Sequence, residues 1–486
     1  MATANVTIAN PPKKDNSLVR FAIPIITGLT IWFIQPPAGV EAEAWHLLAV
    51  FVATIVGIIA KPLPMGAVAI IGILMSSFAL PGTNKAALGT ALSGFGNGTI
   101  WLIVMAFFIS RGFIKTGLGE RIAYLFMSKL GKKTLGLSYG LIATDLVMSP
   151  AIPSNTARGG GIIYPVLRSI AAAYGSEPDD GTAGKIGSFL VKASFQGLVI
   201  TSAMFLTAMA ANPLAASLAA DNASVEITWG GWALAALVPG VLSLLFVPWL
   251  LYKMDPPEIK ETPEAAEIAR KKLAQMGRVK ANEWMMLAVF VLLIVLWIFG
   301  NKLGGIDGTT AAILGLALLL VTRVLTWEDV LKERGAWDTL VWFAALVMMA
   351  SQLNTLGLIP WFSDQMGAVV SGAGWVIAFL VLSLAYFYSH YLFASNTAHV
   401  SAMYATFLVV AIAAGAPAML TALVLAFFSN LFSSMTHYGT GPAPVFFGSG
   451  YVEMGDWWKS GFIISVVNIV IWLGIGGLWW KVLGLW

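Results

Sequence analysis

The chain contains no cysteine. Disulfides, thiolate nucleophiles and Cys-based metal sites are all excluded at once. Charge is scarce as well: 11% of the 486 residues are Asp, Glu, Lys or Arg, 58% are hydrophobic, and the mean hydropathy is +0.81. Soluble globular chains carry about 25% charged residues, so the composition excludes a water-soluble domain and points to a polytopic membrane protein. Histidine is limited to His46, His390, His399 and His437. His390 and His399 are nine residues apart, which is not the i, i+4 spacing of a metalloprotease helix. No paired aspartates sit in facing apolar segments. We therefore assign no catalytic residue, metal ligand or cofactor, and an intramembrane enzyme is disfavoured. A channel, which needs rings of pore-lining carbonyls or charges, is disfavoured too. The net charge of +4 is spread over loops, so it bears on orientation in the bilayer and implies no nucleic-acid partner.

What the chain has is apolar segments. Ala44–Ala60, Met65–Leu80, Trp101–Phe113, Trp232–Leu251, Met285–Phe299, Ala311–Val321, Thr339–Ala350 and Gly461–Trp480 include runs that approach the ~20 residues of a bilayer crossing. Several of the 19 Trp fall at segment ends, where amphipathic rings favour the headgroup layer. Residues 1–19 are polar and weakly basic with no apolar core, so they read as a cytoplasmic tail, not a cleaved signal. The bias of Lys and Arg then puts Lys85, Lys302 and Lys481 outside and most other bases inside, in a multi-pass protein of the cell membrane.

One short polar phrase occurs twice inside apolar surroundings: Ser154, Asn155, Thr156, Ala157 and Ser395, Asn396, Thr397, Ala398. Each copy belongs to a segment that reads as a re-entrant hairpin, about 134–173 and about 373–414. Pro150 and Pro153 before the first copy, and Gly159, Gly160 and Gly161 after it, are expected to break the helix there. Each hairpin is followed by an interrupted span, about 186–219 and about 418–448. The interruptions share a seven-residue frame, Thr207–Pro213 and Thr436–Pro442, which nominates Asn212, Pro213, Thr440, Gly441 and Pro442. The chain thus divides into a first half (20–253), a polar linker (254–281) with Lys253, Lys260, Arg270, Lys271 and Lys272 at or near it, and a second half (282–486). Paired broken helices in an inverted repeat are the pointer to a secondary transporter that binds near the midplane.

Hydroxyls of Ser and Thr, amides of Asn and the free N–H groups of a helix start can all donate to carboxylate oxygens. Two such tips suit a molecule with a carboxylate at each end. A single Ser-Asn-Thr at a helix start would be ordinary capping; two copies in matching hairpins argue for a site. Tyr164, His437 and Tyr438 could line it, although packing is the simpler role for the tyrosines.

The phrases PSNTARGGG (Pro153–Gly161) and ASNTAH (Ala394–His399), the breaks TAMAANP and THYGTGP, and the two-half layout resemble the divalent anion:sodium symporter family. The nearest likeness is to its exchanger branch, which includes citrate/succinate and tartrate/succinate antiporters and the plastid 2-oxoglutarate/malate translocator. The resemblance spans nearly the whole chain. It implies an all-α homodimer with about eleven transmembrane helices and two re-entrant hairpins per subunit, in which a mobile part carries dicarboxylate by an elevator movement. It also puts Ser154, Asn155, Thr156, Ser395, Asn396 and Thr397 on the substrate motif. The chain departs from the pattern in having Ala394 where the first copy has Pro153.

The residue after each phrase bears on coupling. Arg158 is permanently cationic and His399 can be, so the two could bind substrate charge and replace bound sodium, giving obligatory exchange. The simpler alternatives are that Arg158 pairs with a carboxylate such as Asp145 or reaches the surface, and that His399 is a neutral, hydrogen-bonded imidazole. Sodium-coupled dicarboxylate symport is the competing function.

Overall fold

The computed structural model describes residues 17–486 apart from 179, 301 and 371–373. Residues 1–16 of the expected tail, including Lys13 and Lys14, and Asp179 lie outside the described residues. Within them the architecture is helical, and the single strand-like contact is an isolated bridge between Lys133 and Glu261. Among the described residues, eight helices are long and apolar enough to cross a membrane, including Ala42–Ala60, Gly98–Thr116, Trp229–Met254, Ala281–Phe299, Arg334–Thr355 and Met454–Val482. Shorter apolar helices such as Met65–Ala79, Thr134–Met148 and Gly308–Val321 pack between them. An all-helical polytopic membrane protein follows from this: with no water in the hydrocarbon, helices satisfy their own backbone groups.

The chain near the first phrase forms a helical hairpin. Its first arm is Thr134–Met148, the non-helical tip is 149–154, and the second arm runs over 155–173. The break lies before the phrase and not after it. The backbone stays helical through Gly159, Gly160 and Gly161, widening to a π turn over Gly159–Ile163. These glycines serve close packing: a Cβ at Gly159 would lie 2.6 Å from Leu198 and 3.1 Å from Phe446. The second hairpin has arms Trp375–Tyr388 and Asn396–Ala413, joined by a 3-10 turn over Ser389–Leu392 and a non-helical stretch to Ser395. It too carries a π turn, Val400–Tyr404. The intervals 154 to 395 and 159 to 400 are both 241 residues, so phrase and π turn repeat together.

The first interrupted helix consists of Gly187–Met204 and Ala211–Ala223, with the break at 205–210. Asn212 and Pro213 therefore stand in the first helical turn and not in the break, as Pro is tolerated where its missing N–H would have no partner. In the second, Ala418–Leu431 continues into a 3-10 turn over Phe432–Ser434 and an irregular stretch to Pro442. Only the five-residue helix Ala443–Phe447 follows.

The linker is less loose than its charge suggests. Its helix Pro263–Met276 buries Ala265, Ala266 and Ala269 against the amphipathic helix Leu118–Leu130. Backbone bonds from Thr134 to the Lys260 carbonyl (3.0 Å) and from Thr262 to the Lys132 carbonyl (2.8 Å) staple it there. Behind them the buried Arg121 grips Glu283 with two guanidinium nitrogens.

Candidate functional site

Both phrases cap helices. Ser154 Oγ accepts from Ala157 N–H at 3.1 Å, and Ser395 Oγ accepts from Ala398 N–H at 3.4 Å. A hydroxyl used as an acceptor still has its own hydrogen to donate, and the first N–H groups of each arm have no partner within the helix. Thr156 is exposed, and Ser154, Asn155, Ser395 and Thr397 are half-buried. Each tip thus presents a cluster of donors.

The two tips are held by the same stretch of chain. Asn155 Nδ2 donates to Thr440 Oγ1 at 3.0 Å. Thr156 lies against Gly441, where an added Cβ would fall 2.1 Å from Thr156 Oγ1, and Pro442 abuts Gly159. At the second tip, Asn396 Nδ2 donates to the Ser429 carbonyl (2.9 Å) and Ser433 Oγ (2.6 Å). The span 429–442 therefore meets both phrases. It also meets the first interrupted helix, because Asn430 Nδ2 donates to Asn212 Oδ1 at 2.7 Å and Gln196 Nε2 to the Ser434 carbonyl at 2.9 Å. Asn212 in turn donates to the carbonyls of Ser202 (2.8 Å) and Phe205 (2.9 Å), closing the end of the helix before the break. Pro213 is buried beside it.

Arg158 is not at the donor surface. Its side chain is fully buried, and four of its five N–H groups are spent within the protein. Nε donates to Asp145 Oδ1 (2.9 Å), Nη1 to the carbonyls of Ile152 (2.6 Å) and Ala208 (2.5 Å), and Nη2 to Ser202 Oγ (3.0 Å). Those oxygens come from the hairpin arm, its tip, the break and the interrupted helix. The structure places Arg158 behind the tip, in the pairing with Asp145 that the sequence offered as the alternative to a substrate ligand. Its charge is balanced by Asp145, to which Thr201 also donates.

At the corresponding position of the second half a phenol replaces the carboxylate and an imidazole replaces the guanidinium. Asp145 to Tyr386 is again 241 residues, so Tyr386 stands to His399 as Asp145 stands to Arg158. The Tyr386 and His399 rings stack at 4.6 Å, and Tyr386 OH bonds Ser429 Oγ at 2.7 Å, as Asp145 bonds Thr201. His399 is fully buried, bonded through Nε2 to Ser389 Oγ at 2.9 Å and flanked by Phe393 and Phe432. It too lies behind its tip. His390, which the sequence left unassigned, donates Nε2–H to the Gly439 carbonyl at 2.8 Å.

Tyr164 packs on Phe446, Tyr438 OH bonds the Tyr391 carbonyl, and His437 accepts from Trp458. A cavity of ≈ 810 Å³ reaches the first break at Met204, Phe205 and Leu206 and is rimmed by Asp221, Glu226, Lys302 and Asp307. Its walls include neither phrase. Sequence reasoning missed Ser202, Asn430 and Ser433. The repeated 13-residue spacing, 145 to 158 and 386 to 399, was the available signal for the pairing behind the tips.

Comparison with known proteins places this arrangement. The chain is 62% identical over 469 residues to "Putative malate transporter YflS" of Bacillus subtilis (strain 168), covering 96% of this chain and 97% of that protein. It is 52% identical to "Dicarboxylate transporter 1, chloroplastic" of Spinacia oleracea, over 98% and 83% of the two chains, and 40% identical to the inner membrane protein YbhI of Escherichia coli (strain K12), over 96% and 97%. Among solved structures, Neisseria gonorrhoeae MtrF, which represents a class of antimetabolite efflux pumps, aligns with TM-score 0.55 at 14% identity over 95% of this chain and 94% of its own. The Alcanivorax borkumensis YdaH transporter aligns with TM-score 0.52 at 13% identity over 83% and 90%. Those two likenesses concern the fold alone. The family profile described as "Sodium:sulfate symporter transmembrane region" matches residues 15–486, and the chain is a transporter belonging to that family, the divalent anion:sodium symporters, and not an enzyme.

Proposed function

We propose that the chain exchanges dicarboxylates such as malate, succinate and 2-oxoglutarate, and tricarboxylates such as citrate, across the cell membrane without sodium. The names of the relatives support the substrate class. One observation carries the coupling: the Arg158 guanidinium fills an oxygen-only cage of two backbone carbonyls, a hydroxyl and a carboxylate beside the first break. Carbonyls of unwound helices are the usual ligands of a coupling sodium ion in such folds. With a built-in cation in that position, no ion gradient drives uptake there.

Because Asp145 balances Arg158, an uncompensated arginine does not hold the empty carrier back. The donors of the two tips do. Carried into the apolar barrier, each donor left without an acceptor costs about 1–3 kcal/mol, so two unpaired donors slow empty return by about a hundredfold. A bound dicarboxylate satisfies them, and exchange follows. In this reading Ser154, Asn155, Thr156, Ser395 and Thr397 face the substrate. Asn396, Thr440, Gly441, Pro442, Asn212 and Pro213 hold the tips in place. The hairpins and interrupted helices move as one body in a homodimeric elevator, as the family resemblance implies, and the N-terminus is cytoplasmic, as the bias of Lys and Arg implies.

The test is uptake of labelled malate into proteoliposomes. Uptake is expected only with dicarboxylate inside and is expected to be equal with and without sodium. Sodium-coupled symport is the second reading, favoured by the description of the family profile. Strong sodium-driven uptake into empty vesicles would establish it and overturn exchange.

A further inference from the structure

A groove of ≈ 360 Å³ runs between α1 (Ser17–Phe33), α2 (Ala42–Ala60) and α3 (Met65–Ala79). Its rim is made of side chains that face away from the protein: Ile25, Leu29 and Phe33 on α1 and Ile71 and Met75 on α3, all exposed. Its floor includes Val50, Val68 and Thr54, and the Thr54 hydroxyl is satisfied by the Val50 carbonyl at 2.8 Å. The groove follows α1 from Phe21 to Phe33, about 18 Å at ~1.5 Å per residue. One leaflet of hydrocarbon is about 15 Å deep. The Trp32 ring stacks on His46 at 4.1 Å at the far end.

The near end is basic. Arg20 precedes Phe21 on α1, and Lys61 precedes Pro62 and Leu63, which line the groove; both bases are exposed. Lys61 is the residue after α2 and has φ 53, the left-handed conformation that helix ends normally give to glycine or asparagine. A long cationic side chain held in a conformation that disfavours it points to a use for the charge.

We propose that this groove holds one acyl chain of an anionic phospholipid, with the headgroup phosphate against Arg20 and Lys61. The depth matches an extended chain, the floor offers no free polar group, and the basic end matches an anion.

Native mass spectrometry of the full chain, released from bilayer discs of equal phosphatidylglycerol and phosphatidylcholine, tests this. The expected result is a retained phosphatidylglycerol adduct in severalfold excess over phosphatidylcholine. Lys61→Gly removes the charge and relieves the backbone, so it is expected to melt at or above the parent in lipid-free detergent, yet to lose the preference. Ile71→Trp, which fills the groove from its rim, is expected to expel the adduct. Equal retention of both lipids by the parent would overturn the proposal. So would an unchanged preference in Lys61→Gly, or a dimer that Ile71→Trp dissociates while the adducts stay.

Discussion

Arg158 Nε lies 2.9 Å from Asp145 Oδ1, and both side chains are withdrawn from solvent. Removing one partner of a buried pair strands the other charge and costs about 3–5 kcal/mol. Asp145→Asn is therefore expected to lower the melting temperature sharply and to abolish exchange. Asp145→Asn combined with Arg158→Gln removes both charges and should melt above Asp145→Asn alone. Thermal unfolding of the parent, of these two variants and of Arg158→Gln alone is the measurement, and additive losses would rule out the coupling.

Gly441 touches the first tip so closely that any side chain displaces it. In Gly441→Ala the new Cβ would stand 2.1 Å from Thr156 Oγ1. Malate exchange in proteoliposomes is expected to fall more than tenfold, by the misplacement of a donor. Adding Thr156→Ala removes the obstructing hydroxyl and should restore the fold without restoring full exchange.

Asn212 joins the two interrupted helices and closes one of them. Asn212→Ala takes a donor from the Ser202 and Phe205 carbonyls and an acceptor from the Asn430 amide, at about 1–3 kcal/mol for each buried group that finds no replacement. Asn212→Asp keeps the acceptor and loses the donors, so it is expected to be no better. A melting temperature within error of the parent for either variant would contradict this.

Asp329 provides a pH signature outside the spanning helices. Burial pushes its carboxyl up, yet the Lys115 ammonium at 2.6 Å and donors from Thr326 outweigh that and bring it down to about 2. A carboxyl lowered on folding from about 3.9 contributes stability that is present above pH ~4 and lost as pH falls toward 2. The pair is partly open to water, with side-chain exposures of 40% for Lys115 and 20% for Asp329, so the contribution is about 1 kcal/mol at most. The stability difference between parent and Lys115→Met is expected to be constant from pH 5 to 8 and to shrink below pH 4.

Much of the layout was legible because hydrophobicity and helix signals are local. The apolar segments and the twin phrases needed only the order of residues. Where the reading failed, a neighbour distant in sequence had intervened. Gly159 looked like a helix breaker and is a contact point for Leu198 and Phe446. The sequence marks the linker as polar, and its docking on another helix through the buried faces of its alanines depends on that distant partner.

The sequence by itself determined a membrane-embedded helical protein in which one polar phrase is written twice, because composition, periodicity and repetition are properties of the chain order. Only the tertiary structure decided what the cation beside the first phrase does. A guanidinium acts on whatever oxygens surround it, and those of Asp145, Ile152, Ser202 and Ala208 converge only once the hairpin is laid against the interrupted helix.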